Sequence, residues 1–277
     1  MKEGSFKGVG GLNIFTRSWN PESKPKAILV ISHGFNAHSG QYTWVAEQFV
    51  AKGYAVFALD HRGRGKSEGE RYYVDSVQEY ADDLATFIGI VKSEVPGRPV
   101  FLLGHSAGGV IACTYCLDHQ KEIDGLICED FAYQVPAPDF ALAVLKGLAH
   151  VAPHAHVTKL HNKDFSRDPK WVAVMDSDPL VKDEVQPTQT MAAMVIADDR
   201  LKKEFGSIRL PVFIIHGTED HVTRPSGSQE FYDHAGSSDK KLKFYEGHYH
   251  DLLNDIGKED VLADIETWIG SRIHAVV

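Results

Sequence analysis

The sequence predicts an α/β fold: a mainly parallel central sheet flanked by helices, with a helical cap inserted after the sixth strand. Three observations carry that expectation. Short runs of consecutive apolar residues recur between turn residues, stretches with helical apolar spacing alternate with them, and residues 131–210 interrupt the alternation. A strand covered on both faces is apolar at successive positions, and strands alternating with helices are joined by right-handed crossovers into a parallel sheet.

In chain order, residues 6–8 and 12–17 read as an antiparallel hairpin that starts the sheet. The runs 27–31 (AILVI), 54–59 (YAVFAL), 100–103 (VFLL), 126–128 (LIC) and 212–215 (VFII) are too short for buried helices and read as central strands, with a last strand at 242–245. Residues 42–52 and 75–95 carry apolar side chains at a spacing near 3.6, and the second stretch stops at the breaker pair Pro96-Gly97. No convincing strand falls between 131 and 210. A connection that long without structure of its own is foreign to a compact domain, so it is expected to be helical. The division is therefore residues 1–133 and 208–277 as core domain, and 134–207 as cap. Within the cap, 139–152 (DFALAVLKGLAHVA) is apolar over most of its circumference. Phe140, Val144 and Leu145 are the candidate acyl-contacting residues on an underside that roofs a pocket, and so greasy a helix is also open to peripheral membrane contact.

Composition narrows the function. The 277 residues carry a formal charge of −9, which leaves no basic field for a polyphosphate and argues against nucleic acid as a partner. The cysteines, Cys113, Cys116 and Cys128, read as reduced thiols. Met1 to Phe6 has no apolar leader character and no run approaches the ~20 apolar residues of a membrane span, so the expected setting is cytoplasmic.

The chemistry centres on Gly104-His105-Ser106-Ala107-Gly108, which follows an apolar strand and opens a helix. A sharp strand-to-helix turn forces its central residue into strained backbone angles and leaves no room for side chains on the flanks, so glycines stand two residues to either side. The Ser106 hydroxyl is thereby lifted to a helix N-terminus, where developing negative charge is favoured. A phosphate loop fits worse, because no lysine follows the glycines.

A serine needs a base to take its proton and an acid to orient that base. In this architecture both should follow in chain order, each just past the end of a later strand. Asp220 in Gly217-Thr218-Glu219-Asp220 is the preferred acid over Glu219. For the base, His248 and His250 compete after the last strand, and spacing does not separate them. His216 and His221 read as loop histidines satisfied by water or backbone. The oxyanion of a tetrahedral intermediate needs two amide donors, assigned to the N–H of Ala107 and that of Phe35 in Ser32-His33-Gly34-Phe35.

Taken together, the blocks from His33 to Tyr42, Asp60 to Ser67, Gly104 to Gly109 and Tyr245 to His250 resemble the α/β-hydrolase superfamily, and more narrowly its monoacylglycerol lipase and lysophospholipase-like branch. The cap segments Ser166-Arg167-Asp168-Pro169 and Asp178-Pro179-Leu180-Val181 share the similarity. The resemblance implies the α/β-hydrolase fold, and it selects His250 because the base there follows a tyrosine. Three positions depart from it. Ala37 and Gln41 stand where that branch has a glutamate and an arginine near the glycerol end of its substrate, so no glycerol contact carries over to them. Ala107 stands where methionine is frequent, which leaves its amide intact.

Other clusters weigh less. His150 and His154 are four apart, but Pro153 interrupts the helix, so no metal site is assigned. Cys113-x-x-Cys116 sits on a helix rather than in a redox setting, and Asp60-His61-Arg62-Gly63 reads as a structural turn bracing the site. The expected activity is cofactor-free hydrolysis of a small-molecule carboxylic ester with an apolar acyl group, through Ser106, His250, Asp220 and an acyl-enzyme. The rivals are cleavage of amides, peptides, thioesters or lactones by the same triad, or a ligand receptor without turnover.

Overall fold

The computed structural model describes residues 1–273. The chain opens with β1 (Lys2–Lys7), β2 (Asn13–Trp19), β3 (Ile28–Ser32), α1 (Thr43–Ala51), β4 (Ala55–Leu59), α2 (Val77–Glu94), β5 (Val100–His105), α3 (Ala107–His119) and β6 (Gly125–Glu129). Next come α4 (Asp139–Ala149), β7 (His156–Thr158), α5 (Pro169–Ser177), β8 (Gln186–Pro187) and α6 (Thr188–Glu204). The main sheet resumes with β9 (Val212–Gly217), α7 (Pro225–His234), β10 (Lys240–Tyr245) and α8 (Lys258–Ile273).

Eight strands form one sheet in the order β1-β2-β4-β3-β5-β6-β9-β10. The β1–β2 and β2–β4 pairs are antiparallel and the remaining pairs parallel, as the sequence predicts. Consecutive apolar residues are required because both faces are covered. Ile28, Val30, Val100, Leu102, Val212 and Ile214 join the core under α2, α3 and α6. Leu29, Ile31, Phe101, Leu103, Phe213 and Ile215 point the other way, toward α1 and α8. Helix α2 ends where expected, since Gly97 takes a φ of +69° that a side chain rarely adopts.

The strand order reverses direction at β3, which lies between β4 and β5. A crevice opens beyond the carboxyl ends of the strands at such a switch, and the loops carrying Phe35 and Ser106 leave β3 and β5 there. The segment between β6 and β9 lies over that end. It contains a small ladder, β7 against β8, that the sequence does not announce, because three and two residues are too few to show a period. Helix α6 contributes Ala193, Met194, Ala197 and Leu201 to the apolar cluster that also holds α2 and α3 residues. Among the described residues no helix is long and apolar enough to cross a membrane.

Candidate active site

Ser106 begins where β5 ends, with φ 54° and ψ −122°, a conformation an L-residue holds only when its surroundings impose it. Its N–H donates to the Glu129 carbonyl at 2.9 Å, and its carbonyl accepts from Gly109 and Ala132. The glycines are demanded by close approach. A Cβ on Gly108 would lie 2.0 Å from the Ser32 carbonyl oxygen, and one on Gly104 would lie 2.5 Å from that of Gly108. A Cβ on Gly34 would lie 2.8 Å from that of Ser106.

The three side chains separated in sequence meet here. His250 Nε2 is 2.8 Å from Ser106 Oγ, and His250 Nδ1 is 2.8 Å from Asp220 Oδ2. His248, the spacing rival, turns away to the carbonyl of Ile256 at 3.0 Å. Glu219 contributes its backbone N–H to the His248 carbonyl and stands outside the chain of bonds that leads to Ser106. Asp220 is held on both oxygens. Oδ1 accepts the N–H groups of Val222 and Thr223 at 2.7 and 2.9 Å, while Oδ2 takes the Thr223 hydroxyl at 2.6 Å beside His250. Burial opposes ionisation of Asp220, but the neighbouring His250 and the hydrogen bonds from His216 and His250 outweigh it and hold the carboxyl well below its usual range.

Sequence reasoning misplaced or missed several supporting groups. His216 is no solvent-satisfied loop residue. It is the buried penultimate residue of β9, with Nδ1 2.7 Å from Ser228 Oγ and Nε2 3.0 Å from Asp220 Oδ2. Burial keeps it neutral at physiological pH, so its single ring proton can serve Asp220. Asp130, at the end of β6 with φ 44°, is fully buried and accepts the Gly217 N–H at 2.8 Å. Burial, and then the charge of Asp220, push its carboxyl well above the usual range. Asp130, Asp220 and His250 have ligand atoms close enough together to suit a cation, yet Asp220 and His250 spend theirs on each other and on Ser106. His221 is exposed, edge-on to Tyr249 at the rim of the cavity.

His105, inside the elbow, is buried and pushed down to about 3 by desolvation and by His250. As a neutral ring it donates from Nε2 to the His250 carbonyl at 3.1 Å and accepts the Tyr42 hydroxyl at Nδ1. The phenyl ring of Phe165 stands edge-on to the imidazole of His250. Together these contacts fix His250 from its backbone and from its ring.

The proposed oxyanion donors are both available. Among the described residues, neither the Phe35 nor the Ala107 N–H donates to another protein group, and both residues line the same cavity as Ser106. The Phe35 loop is braced from below and above. Below it, His33 donates from Nδ1 to the Gly34 carbonyl at 2.7 Å and accepts the His61 N–H at Nε2. Above it, Glu184 from the segment before β8 accepts the Asn36 N–H at 2.9 Å and pairs with Arg64, whose guanidinium lies 4.0 Å over the Phe35 ring. The turn at Asp60 braces the site as expected. Asp60 accepts from Ser39 and Lys66, and Arg62 forms a bidentate pair with Asp83. Gln41, the departure from the glycerol-side pattern, is buried with its amide directed at the Asn36 carbonyl.

A cavity of about 430 Å³ runs from Ser106 under α4 and α6. Leu145 lines it together with Ala141 and Leu142. Phe140 and Val144 do not: they are 73% and 65% exposed on the opposite face of α4. A helix apolar all round does not reveal from sequence which stripe turns inward. His154 pairs with Glu70 and stacks on Tyr73.

Comparison with known proteins agrees with this geometry. A family model described as "Serine aminopeptidase, S33" matches residues 23–257. A monoacylglycerol lipase of Mycolicibacterium smegmatis is 34% identical over 275 residues, which is 98% of this chain and 98% of its own length. The human monoglyceride lipase is 30% identical over 267 residues, covering 95% of this chain and 88% of the human protein. The crystal structure of the Paleococcus ferrophilus monoacylglycerol lipase superposes with a TM-score of 0.84 at 29% identity, over 94% of this chain and 99% of that one. A strained serine on a strand-to-helix turn, with this similarity running almost end to end, places the chain in the α/β-hydrolase family of the S33 model, alongside the monoacylglycerol lipases.

Proposed function

We propose that Ser106, His250 and Asp220 form the catalytic triad of a carboxylic ester hydrolase related to the monoacylglycerol lipases. The continuous chain Ser106 Oγ–His250–Asp220, closed by two bonds of 2.8 Å, carries the reading. His250 takes the hydroxyl proton as Oγ attacks the ester carbonyl, then delivers it to the leaving alcohol, and water releases the acid by the same route. The amides of Phe35 and Ala107 receive the oxyanion, and each such donor is worth ~3 kcal/mol in the transition state. The cap, residues 134–207, roofs the acyl chain, with Leu145 rather than Phe140 or Val144 against it.

The test is a matched panel: p-nitrophenyl and glyceryl esters of increasing acyl length, a thioester and a p-nitroanilide. Esters are expected to lead with an optimum at small or medium chains, since ~430 Å³ of cavity must hold the whole acyl group. The family model is described by a peptidase, so the anilide arm decides. If the anilide is cleaved faster than every ester, the bond has been misassigned.

The outer stripe of α4 and the turn that follows it bears on where the substrate comes from. Phe140, Val144, Leu148 and Val151 lie at spacings of four, four and three and are 73%, 65%, 40% and 84% exposed. Their exposure supports a reading in which they rest in a lipid surface over the cavity. Replacing Phe140, Val144 and Val151 by serine is expected to cut sedimentation with phosphatidylcholine vesicles by about tenfold. Turnover of a water-soluble short ester should not change. Equal sedimentation of the variant and the parent would exclude lipid contact through α4.

A further inference from the structure

Helix α6 presents one stripe to the acyl cavity: Met191, Met194, Val195 and Asp198, at positions i, i+3, i+4 and i+7. Three of the four suit an apolar acyl chain and the fourth is a carboxyl. Its Oδ1 is sealed and has no hydrogen-bond partner, which leaves Oδ2, also without a partner among the described residues, as the oxygen a ligand can reach.

Several of the groups around it are engaged elsewhere. Lys146 on α4 reaches Asp199 at 2.9 Å, and Lys202 leans toward Glu230 at 3.9 Å. Arg200 pairs with Asp118 and Glu204. The hydroxyl of Tyr133 donates to Glu230 at 2.9 Å. A half-buried carboxyl with one oxygen sealed and unpaired opposes folding, and replacing it with leucine would complete the apolar stripe, so its presence points to a polar partner in the cavity.

We infer that Asp198 is a specificity-determining residue that receives a hydroxyl carried on the acyl chain, so that this enzyme prefers esters of hydroxylated acids over plain acids of equal length. The inference rests on the ester-hydrolase reading of Ser106. Two features favour an acyl hydroxyl over other polar groups. The cavity that Asp198 lines is also lined by Leu142, Met194 and Val195, which suit the apolar part of an acyl chain, and by Lys159, His161 and Gln186, which suit a polar alcohol. Burial, with Asp199 beside it, also pushes the Asp198 carboxyl well above its usual range. A neutral carboxyl both donates and accepts, as a hydroxyl does, whereas an ammonium group would require the ionised form.

The experiment compares kcat/KM for p-nitrophenyl esters of six- to twelve-carbon acids, each with and without a terminal hydroxyl, in the parent enzyme, Asp198→Leu and Asp198→Asn. The parent should favour the hydroxylated member at one or more chain lengths. Asp198→Leu should lower that preference by about tenfold, because a site built to pair a hydroxyl discriminates through it. Asp198→Asn, which still donates and accepts, should keep part of the preference. A merely structural role would shift both members of each pair alike and leave the ratio unmoved, which overturns the inference. So does a parent enzyme that disfavours the hydroxylated member at every length, a result that needs no variant. If plain esters show no Ser106-dependent turnover, the ester reading itself fails and takes this inference with it.

Discussion

Ser106→Ala is expected to lower kcat for the best ester by about 10⁴–10⁶-fold and to abolish labelling by a fluorophosphonate. The substitution removes one oxygen and leaves the rest standing. The turn is held by the Ser106 N–H to the Glu129 carbonyl and by the carbonyl of residue 106, both of which alanine keeps. The His250–Asp220 bond does not depend on the hydroxyl. Alanine must adopt the same φ of 54°, so the backbone strain is neither added nor relieved and the melting temperature should stay close to that of the parent. The remaining activity would come from substrate binding and the free amides of Phe35 and Ala107. Fluorophosphonate labelling of the variant at the parent's rate would place the nucleophile on another residue.

Asp220→Asn is expected to cost about 10⁴-fold in kcat with little change in KM. An asparagine at this position presents one oxygen and one NH₂ group. The oxygen is drawn to the N–H groups of Val222 and Thr223, which leaves the NH₂ facing His250 Nδ1. That imidazole must then carry its proton on Nε2, the nitrogen that should accept from Ser106. The same substitution reports on acid stability. The folded-state pKa of Asp220 is depressed, so its contribution is fully present above the unfolded carboxylate range and is lost as pH falls through the folded value. Thermal melts from pH 7 to pH 3 should therefore show a shallower acid limb for Asp220→Asn than for the parent. A variant with parental kcat would remove Asp220 from the mechanism, and an unchanged acid limb would contradict its low pKa.

Some of the site was legible from local sterics. Gly104, Ser106 and Gly108 after an apolar strand describe a turn that few other residue combinations tolerate, and the clash distances at Gly104 and Gly108 show why. Asp220 was legible because it falls just past a strand end. Arg64 and Glu184 were not: they stand far apart in sequence and pair only because the segment before β8 lies across the loop after β3. Nor was the role of His216, since burial rather than spacing separates a ring that feeds Asp220 from one that faces water.

The amino-acid order by itself determined the parallel sheet with its early hairpin, the sharp turn at Ser106 and the chain order of Ser106, Asp220 and His250. These depend on hydrophobic period and backbone sterics, which act over a few neighbouring residues. Spacing left His248 and His250 open, the resemblance selected His250, and the fold brings it to Ser106. Tertiary structure alone decided that Leu145 and not Phe140 or Val144 faces the cavity, and that Asp198 stands unpaired at its wall. Each of those outcomes depends on which face an element turns toward partners distant in sequence, and long-range packing sets that orientation.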